Sequence, residues 1–415
     1  MSDNLKLRLL KNASWLFSAE IISRLLAYGV IILLSRTLGP EGLGQYSFIF
    51  SFVALTSIFS DLGVSYYVMR EIARNKERKN ELFPYALGFK ITLAVINFGI
   101  IIFLALQLNK SNIIKSLIII VALENILLQV SYFFTRIMFA HEVTKYEGIA
   151  KVIERVWAFF VGSAVLYVKR ELALFILAIL AGYLLRDSLR IYWGSKFFEK
   201  IRVEFKPVVW VNLLKHSYPF WLISLFTMIY YRTDVVMLGL FRPDYDVGIY
   251  RAAYTLIQVA LFIPNIVVAT TMPSMARLWE ENKKTLNILF KKSFQILLAI
   301  GLLGVIGYYI FANFAITIVF GAGFTKSVGV LRVLAVAVPF MFLNSLLGSF
   351  LNATGKELSF TKITAFTALL NVVLNYFLIQ SYSYYGAAIA TVVSQALATI
   401  LSFKIVLDNI SQESY

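Results

Sequence analysis

The stretch Leu213 to Arg251, LLKHSYPFWLISLFTMIYYRTDVVMLGLFRPDYDVGIYR, decides how the chain is read. It comprises an apolar helix carrying Arg232 and Asp234, a short polar turn, and a second apolar helix that opens with Arg251. A charged side chain near mid-bilayer costs roughly 2.5–3.5 kcal/mol on insertion scales, so such residues face an aqueous cavity or a partner. Arg232 and Asp234 stand two apart, which turns them to different sides of their helix. The stretch also repeats the start of the chain. At a constant offset of 204 positions, Leu9-Leu10-Lys11 falls on Leu213-Leu214-Lys215 and Gly44-Gln45-Tyr46 falls on Gly248-Ile249-Tyr250, without a gap. Internal repeats recur in secondary transporters, so the stretch points to a transport pathway.

Composition fixes the class. Of 415 residues, 59% are hydrophobic and 15% charged, with a mean hydropathy of +0.76, whereas a soluble globule carries nearer a quarter charged residues. The chain reads as an integral membrane protein. Its net charge of +16 would suggest nucleic acid in a soluble protein; here the basic residues fall between apolar spans, where membrane topology accounts for them, and no nucleic-acid partner is expected. Cysteine is absent, which excludes disulfides and thiolate metal sites. Lys6, Arg8 and Lys11 precede a full-length span and not the short apolar region of a cleaved signal, so none is expected.

A bilayer core needs about 20 apolar residues per helix. That ruler gives twelve spans, at 12–36, 46–69, 83–106, 114–139, 150–168, 172–193, 216–240, 248–272, 289–312, 328–351, 358–380 and 385–407. Six precede the repeat junction and six follow it, so both halves start on the same side of the membrane. The expected architecture is all-α, with a six-helix bundle over 1–193, a cytoplasmic linker over 194–212 and a second six-helix bundle over 213–415. Basic residues alternate strongly between loops. Twenty-eight lie with the N-terminus, the segments 70–90, 136–155, 186–215, 277–292 and 356–362, and Lys404, against seven on the other side. The asymmetry places both termini in the cytoplasm of a cell-membrane protein. Arg24, Arg232, Arg251 and Arg332 fall in or near the spans themselves.

Within the spans, Glu20 and Arg24 are four apart with the acid first, the favourable order for an ion pair on one helix face. The pair reads either as self-neutralising packing or with Arg24 offering its planar fork to a phosphate-bearing substrate. Asp61 reads as a hydrogen-bonded structural acid near a helix end or as a coupling-ion site, and Glu124 as a lone intramembrane acid. The run from Arg36 to Tyr46 is a glycine- and proline-rich turn with no preceding strand and no GKS or GKT, so it is no nucleotide-phosphate loop. Arg136 to Arg155 and Arg186 to Arg202 read as basic cytoplasmic surfaces. Pro264 and Pro339 interrupt their spans, which marks the C-terminal half as the more bendable. His141 and His216 fall at span edges, and no metal site is expected.

These residues carry a family resemblance. The Arg36 to Tyr46 turn, Asp61-x-Gly63 followed by Arg70, Leu214-Lys-x-Ser217-x-Pro219, Arg232-x-Asp234-x-x-Met237-Leu238, Gly248-x-Tyr250 with Ala252-Ala253, and Met272-Pro273 followed by Ala276-Arg277 form one pattern along the chain. The pattern resembles the polysaccharide transporter branch of the multidrug/oligosaccharidyl-lipid/polysaccharide exporter superfamily. The resemblance implies twelve helices in two six-helix bundles around a central cavity, and outward flipping of lipid-linked oligosaccharides. It implies cavity arginines at Arg24, Arg232 and Arg251, with Asp61, Glu124 or Asp234 taking a coupling proton or sodium ion. No other cofactor, no catalysis and a single-chain transporter are expected. A polyprenyl tail would stay in lipid while the arginines offset the pyrophosphate charge. Two other readings stand beside it. A multidrug antiporter of the same superfamily would favour an acidic cavity, and a membrane-embedded glycosyltransferase or polymerase would need an external loop or acidic pair, where this chain has only Glu41 in a short turn.

Overall fold

The computed structural model describes residues 3–411, and side chains from 18 to 408. The side chains of Lys6, Arg8 and Lys11, and of the Leu9-Leu10-Lys11 copy of the repeat, lie outside the described residues. Among those described, the chain is helical throughout and forms no strand: α1 Asp3–Thr56, α2 Val64–Arg74, α3 Lys79–Gln107, α4 Asn112–Ala140, α5 Lys145–Val168, α6 Leu172–Ser195, α7 Pro207–Phe241, α8 Asp244–Ala260, α9 Phe262–Glu281, α10 Lys283–Phe320, α11 Ser327–Ala335, α12 Val338–Ala353 and α13 Glu357–Ser411. Eight described segments are long and apolar enough to cross a bilayer, and a ninth if α11 and α12, bent by 45°, count as one.

Breaks in these helices follow from local chemistry. The turn expected over 36–46 is confined to one residue, Gly39, at φ 67° and ψ −168°, inside an otherwise helical α1. The residue before a proline is pushed out of the helical region, and glycine alone takes this positive φ without a Cβ clash, so Gly39-Pro40 breaks the helix within one residue. α13 also breaks at a single residue, Ser383, at φ 49° and ψ −130°, with no glycine or following proline. Pro264 stands in the first turn of α9 and Pro339 in that of α12, so the two expected proline interruptions are helix boundaries. The span expected at 150–168 lies in α5, where Lys151, Glu154 and Arg155 leave the composition short of a simple crossing.

The chain divides into two compact units, Met1–Leu38 with Ile49–Met228, and Gly39–Phe48 with Ile229–Tyr415. In the first, α2, α3 and α4 meet around Val64, Val68, Ile72, Phe83, Leu87 and Phe133. Phe83 stacks on Phe133 with ring centroids 5.1 Å apart. An aromatic pair of this kind contributes about 0.5–1.5 kcal/mol through its ring contact.

In the second unit the sequence repeat becomes a physical contact. A Cβ added to Gly44 would lie 1.8 Å from the carbonyl oxygen of Asp244, and one added to Gly248 would lie 1.8 Å from that of Pro40. Asp244 and Gly248 are the 204-offset counterparts of Pro40 and Gly44, so the contact is reciprocal: each copy lays its glycine on the backbone of the other. Outside, α10 presents Leu303, Ile306, Ile310, Phe311 and Phe314, all more than half exposed. A contiguous apolar face of this kind is a liability in water and the natural exterior in lipid.

Candidate functional site

The charged residues inside the first unit are sorted into three groups. Lys90 is fully buried and donates to the Asp61 carboxylate and to Ser65 Oγ at 2.8 Å; Ser65 Oγ also donates to Asp61. Asp61 follows a short 3-10 turn, Ser57–Ser60, and precedes two residues of positive φ, Leu62 at 46° and Gly63 at 79°. A non-glycine residue there costs about 1–2 kcal/mol. The Ser217 hydroxyl donates to the Leu62 carbonyl at 2.9 Å and helps hold that turn. Asp61 therefore has a buried protein cation as its partner.

Glu124 is not the lone acid that its place in α4 suggests. It meets Arg186 Nη2 at 3.4 Å, and Arg186 also reaches Glu154 at 3.0 Å and Asp187 at 2.8 Å. Arg190 binds Glu147 at 2.6 Å and Asp187 at 3.1 Å. Ser131 Oγ donates to Asp187 at 2.7 Å. All six charged groups are buried, between α4, α5 and α6. Arg186 and Arg190, read from sequence as part of a basic surface, are thus interior residues, drawn in by acids on two neighbouring helices. The signal was present in the i, i+4 spacing of Arg186 and Arg190 and the three- and four-residue spacing of Glu147, Lys151 and Glu154, which mark single helix faces.

The third group reaches the surface of the unit. Arg24 Nε donates to Glu20 at 2.7 Å, as its spacing predicted, and Lys151 adds a second cation to Glu20 at 3.4 Å. The side chain of Arg24 keeps 40% of its surface exposed. A further arginine, Arg136, which the sequence places at the edge of a basic cytoplasmic surface, lies in α4. Its guanidinium lies 3.9 Å from the Tyr66 ring centroid and 4.4 Å from that of Tyr132, and its Nε is buried without a hydrogen-bond partner. No carboxylate pairs with it among the described residues.

In the second unit Asp234 is buried and held by uncharged donors. Tyr250 Oη and Thr391 Oγ1 donate to Oδ2 at 2.7 and 2.8 Å, and Asn375 Nδ2 donates to Oδ1 at 2.7 Å. Asn375 Nδ2 also reaches Asn371 Oδ1 at 2.9 Å, while Asn375 Oδ1 is buried with no partner. α7, α8 and α13 thus converge on one carboxylate amid side-chain oxygens. Arg232, two residues earlier, is half-buried, as the opposed spacing required, and so is Arg251. Both lie within electrostatic reach of the Tyr254 hydroxyl, which brings these two sequence-predicted arginines to one neighbourhood.

The profile of a family described as polysaccharide biosynthesis protein matches residues 9–279, and that of MatE matches 219–377. The chain belongs to the polysaccharide biosynthesis protein family. The chain is similar to the probable low-salt glycan biosynthesis flippase Agl15 of Haloferax volcanii, 27% identical over 169 residues, 40% of this chain. The match spans only 36% of that relative. The capsular polysaccharide biosynthesis protein CapF of Staphylococcus aureus is 23% identical over 94% of this chain and 98% of its own. A solved structure of the lipid II flippase MurJ, inward closed, superposes with a TM-score of 0.79 at 13% identity, covering 94% of this chain and 87% of that one. Likeness at that identity speaks for the fold alone. This polysaccharide biosynthesis family member is a multi-pass membrane protein whose helical fold is similar to that of the lipid II flippase structure.

Proposed function

We propose that the protein flips a lipid-linked oligosaccharide, a polyprenyl-pyrophosphate glycan, from the cytoplasmic to the outer leaflet by alternating access. One observation carries the reading: three arginines of the spans, Arg24, Arg232 and Arg251, each keep part of their surface exposed. Glu124 and Asp234 are buried, the first beside Arg186 and the second among three uncharged donors, while Asp61 pairs with Lys90 and Glu20 with Arg24. An anionic pyrophosphate is what such a surface attracts, and a planar guanidinium binds phosphate oxygens in pairs. A cation antiporter would need the reverse polarity.

The reading counts twelve crossings, with α1 and α13 each divided at their breaks, α8 with α9 and α11 with α12 taken as single spans, and both termini cytoplasmic. Among the three acids, Asp234 is the coupling-ion candidate. Its partners are uncharged, and Asn371, Asn375 and Thr391 place further oxygens around it, including the unpartnered Asn375 Oδ1. A small cation entering there finds a negative charge without displacing a lysine or arginine. A proton would suit the same carboxylate.

The test is flipping of a fluorescent polyprenyl-pyrophosphate oligosaccharide in proteoliposomes by the native chain and by Arg24→Ala, Arg232→Ala and Arg251→Ala. Transport lost in the variants, at unchanged expression and folding, supports the flippase reading. Absent lipid transport together with efflux of organic cations would assign the chain to the drug-exporter branch.

A further inference from the structure

The connection between α6 and α7 is fastened to the start of α3. Lys79 Nζ donates to the Phe197 carbonyl at 2.5 Å, Glu204 N to the Pro84 carbonyl at 3.1 Å, and Trp210 Nε1 to the Tyr85 carbonyl at 3.0 Å. Between these fastenings lies an open cleft of about 480 Å³. Lys79, Lys196, Lys200 and Arg202 line it, against a single acid, Glu199. The N-terminal turn of α3 lines it as well, with Asn80. Helix N-termini carry a partial positive charge, which adds to the four side-chain cations. Phe83, Phe197 and Phe198 give the cleft an apolar wall.

Cations of one sign repel, and an open cleft with three more bases than acids is an unbalanced arrangement until an anion enters. Depth narrows its nature. Lys79 stands four residues before the span expected from the sequence to begin at 83, and Lys196 three residues after the one expected to end at 193. At about 1.5 Å per helical residue that is roughly 5–6 Å beyond the hydrocarbon edge, the depth of the headgroup layer. Basic pockets at this level bind phosphorylated headgroups.

We propose that this cleft is a phosphate-binding site, filled by the phosphate of an anionic glycerophospholipid or by a soluble phosphate at the same membrane face. Ligand bound there bridges α3 to the connection into α7. The site is separate from the arginines assigned to the transported molecule, and its test does not use transport.

The full-length protein is placed in nanodiscs of phosphatidylcholine with and without phosphatidylglycerol, and retained lipid is counted by native mass spectrometry. In parallel, the detergent-purified protein is titrated with inorganic phosphate and pyrophosphate, following thermal unfolding. The binding variant is Lys196→Gln, Lys200→Gln, Arg202→Gln, which spares the Lys79 fastening. A charge-matched control is Lys291→Gln, Lys292→Gln, Lys362→Gln, all exposed and outside the cleft. Phosphatidylglycerol retained by the native chain, falling at least fivefold in the binding variant and not in the control, supports the lipid source. Saturable phosphate or pyrophosphate binding with the same variant pattern supports the soluble source. Glu199→Gln should strengthen either. Binding of neither probe, or equal losses in variant and control, overturns the proposal and leaves only general attraction to net charge.

Discussion

Replacing Gly248 with alanine tests the crossing at which the two sequence copies meet. The added Cβ would stand 1.8 Å from the Pro40 carbonyl oxygen and 2.6 Å from its carbon. Ordinary carbon–oxygen contacts begin near ~3.3 Å, so the crossing must open by roughly 1.5 Å. The obstacle is backbone, which no rotamer change relieves. Overpacking of this kind costs about 1–3 kcal/mol, and a displacement this large belongs at the upper end. Gly44→Ala should cost a similar amount, because its Cβ meets the Asp244 carbonyl at the same 1.8 Å. The two substitutions act on one crossing, so once either has spread the helices the second should cost less, and the double variant should be less destabilised than the sum by ~1 kcal/mol or more. Gly99, with nothing within 4 Å of an added Cβ, is the control, and alanine there should be neutral or stabilising by up to about 1 kcal/mol. The assay is equilibrium or thermal unfolding of purified protein in one detergent. A Gly248→Ala protein as stable as the parent, or strict additivity in the double variant, would refute the reciprocal crossing.

Four further outcomes are expected. Lys90→Met takes the buried cation from Asp61, whose side chain is 21% exposed, and should destabilise by about 1–3 kcal/mol, whereas Asp61→Asn with Lys90→Met should recover most of that, measured by unfolding in detergent. Arg186→Gln strips Glu124, Glu154 and Asp187 of their shared cation and should abolish accumulation of folded protein, while Arg155→Gln, at a partly exposed ion pair, should change stability by about 1 kcal/mol or less. Thr391→Val removes one donor and one oxygen from the Asp234 cluster and should shift the sodium or pH dependence of flipping by tenfold or more at unchanged expression; an unaltered dependence moves coupling away from Asp234. Arg136→Gln should lower flipping of the pyrophosphate-linked substrate more than Arg136→Lys does, since only lysine keeps the charge that stacks on Tyr66 and Tyr132; equal activity in all three removes Arg136 from the pathway.

Much of the candidate site could be read from spacing, and the failures have a common cause. Glu20 with Arg24 needed only the helical period, and the opposite environments of Arg232 and Asp234 followed from their separation by two. Lys90 is 29 residues from Asp61, and Glu124 is 62 from Arg186, so no local period links them. Their helices had to pack before the pairs existed. Arg186 and Arg190 illustrate the error most clearly. A count of basic residues assigns them to a membrane face, yet acids on α4 and α5 hold them inside.

The sequence by itself determined the class, the helical character and the position of the repeat, because burial of apolar segments in lipid and the helical period are properties of neighbouring residues. It also determined where α1 must break, since Gly39-Pro40 restricts its own backbone. Tertiary structure alone decided which charges are neutralised, which remain accessible, and that Gly44 and Gly248 are small because they touch the backbone of each other's copy. Those outcomes depend on distances between residues remote in sequence, which are set only when helices come within contact of one another.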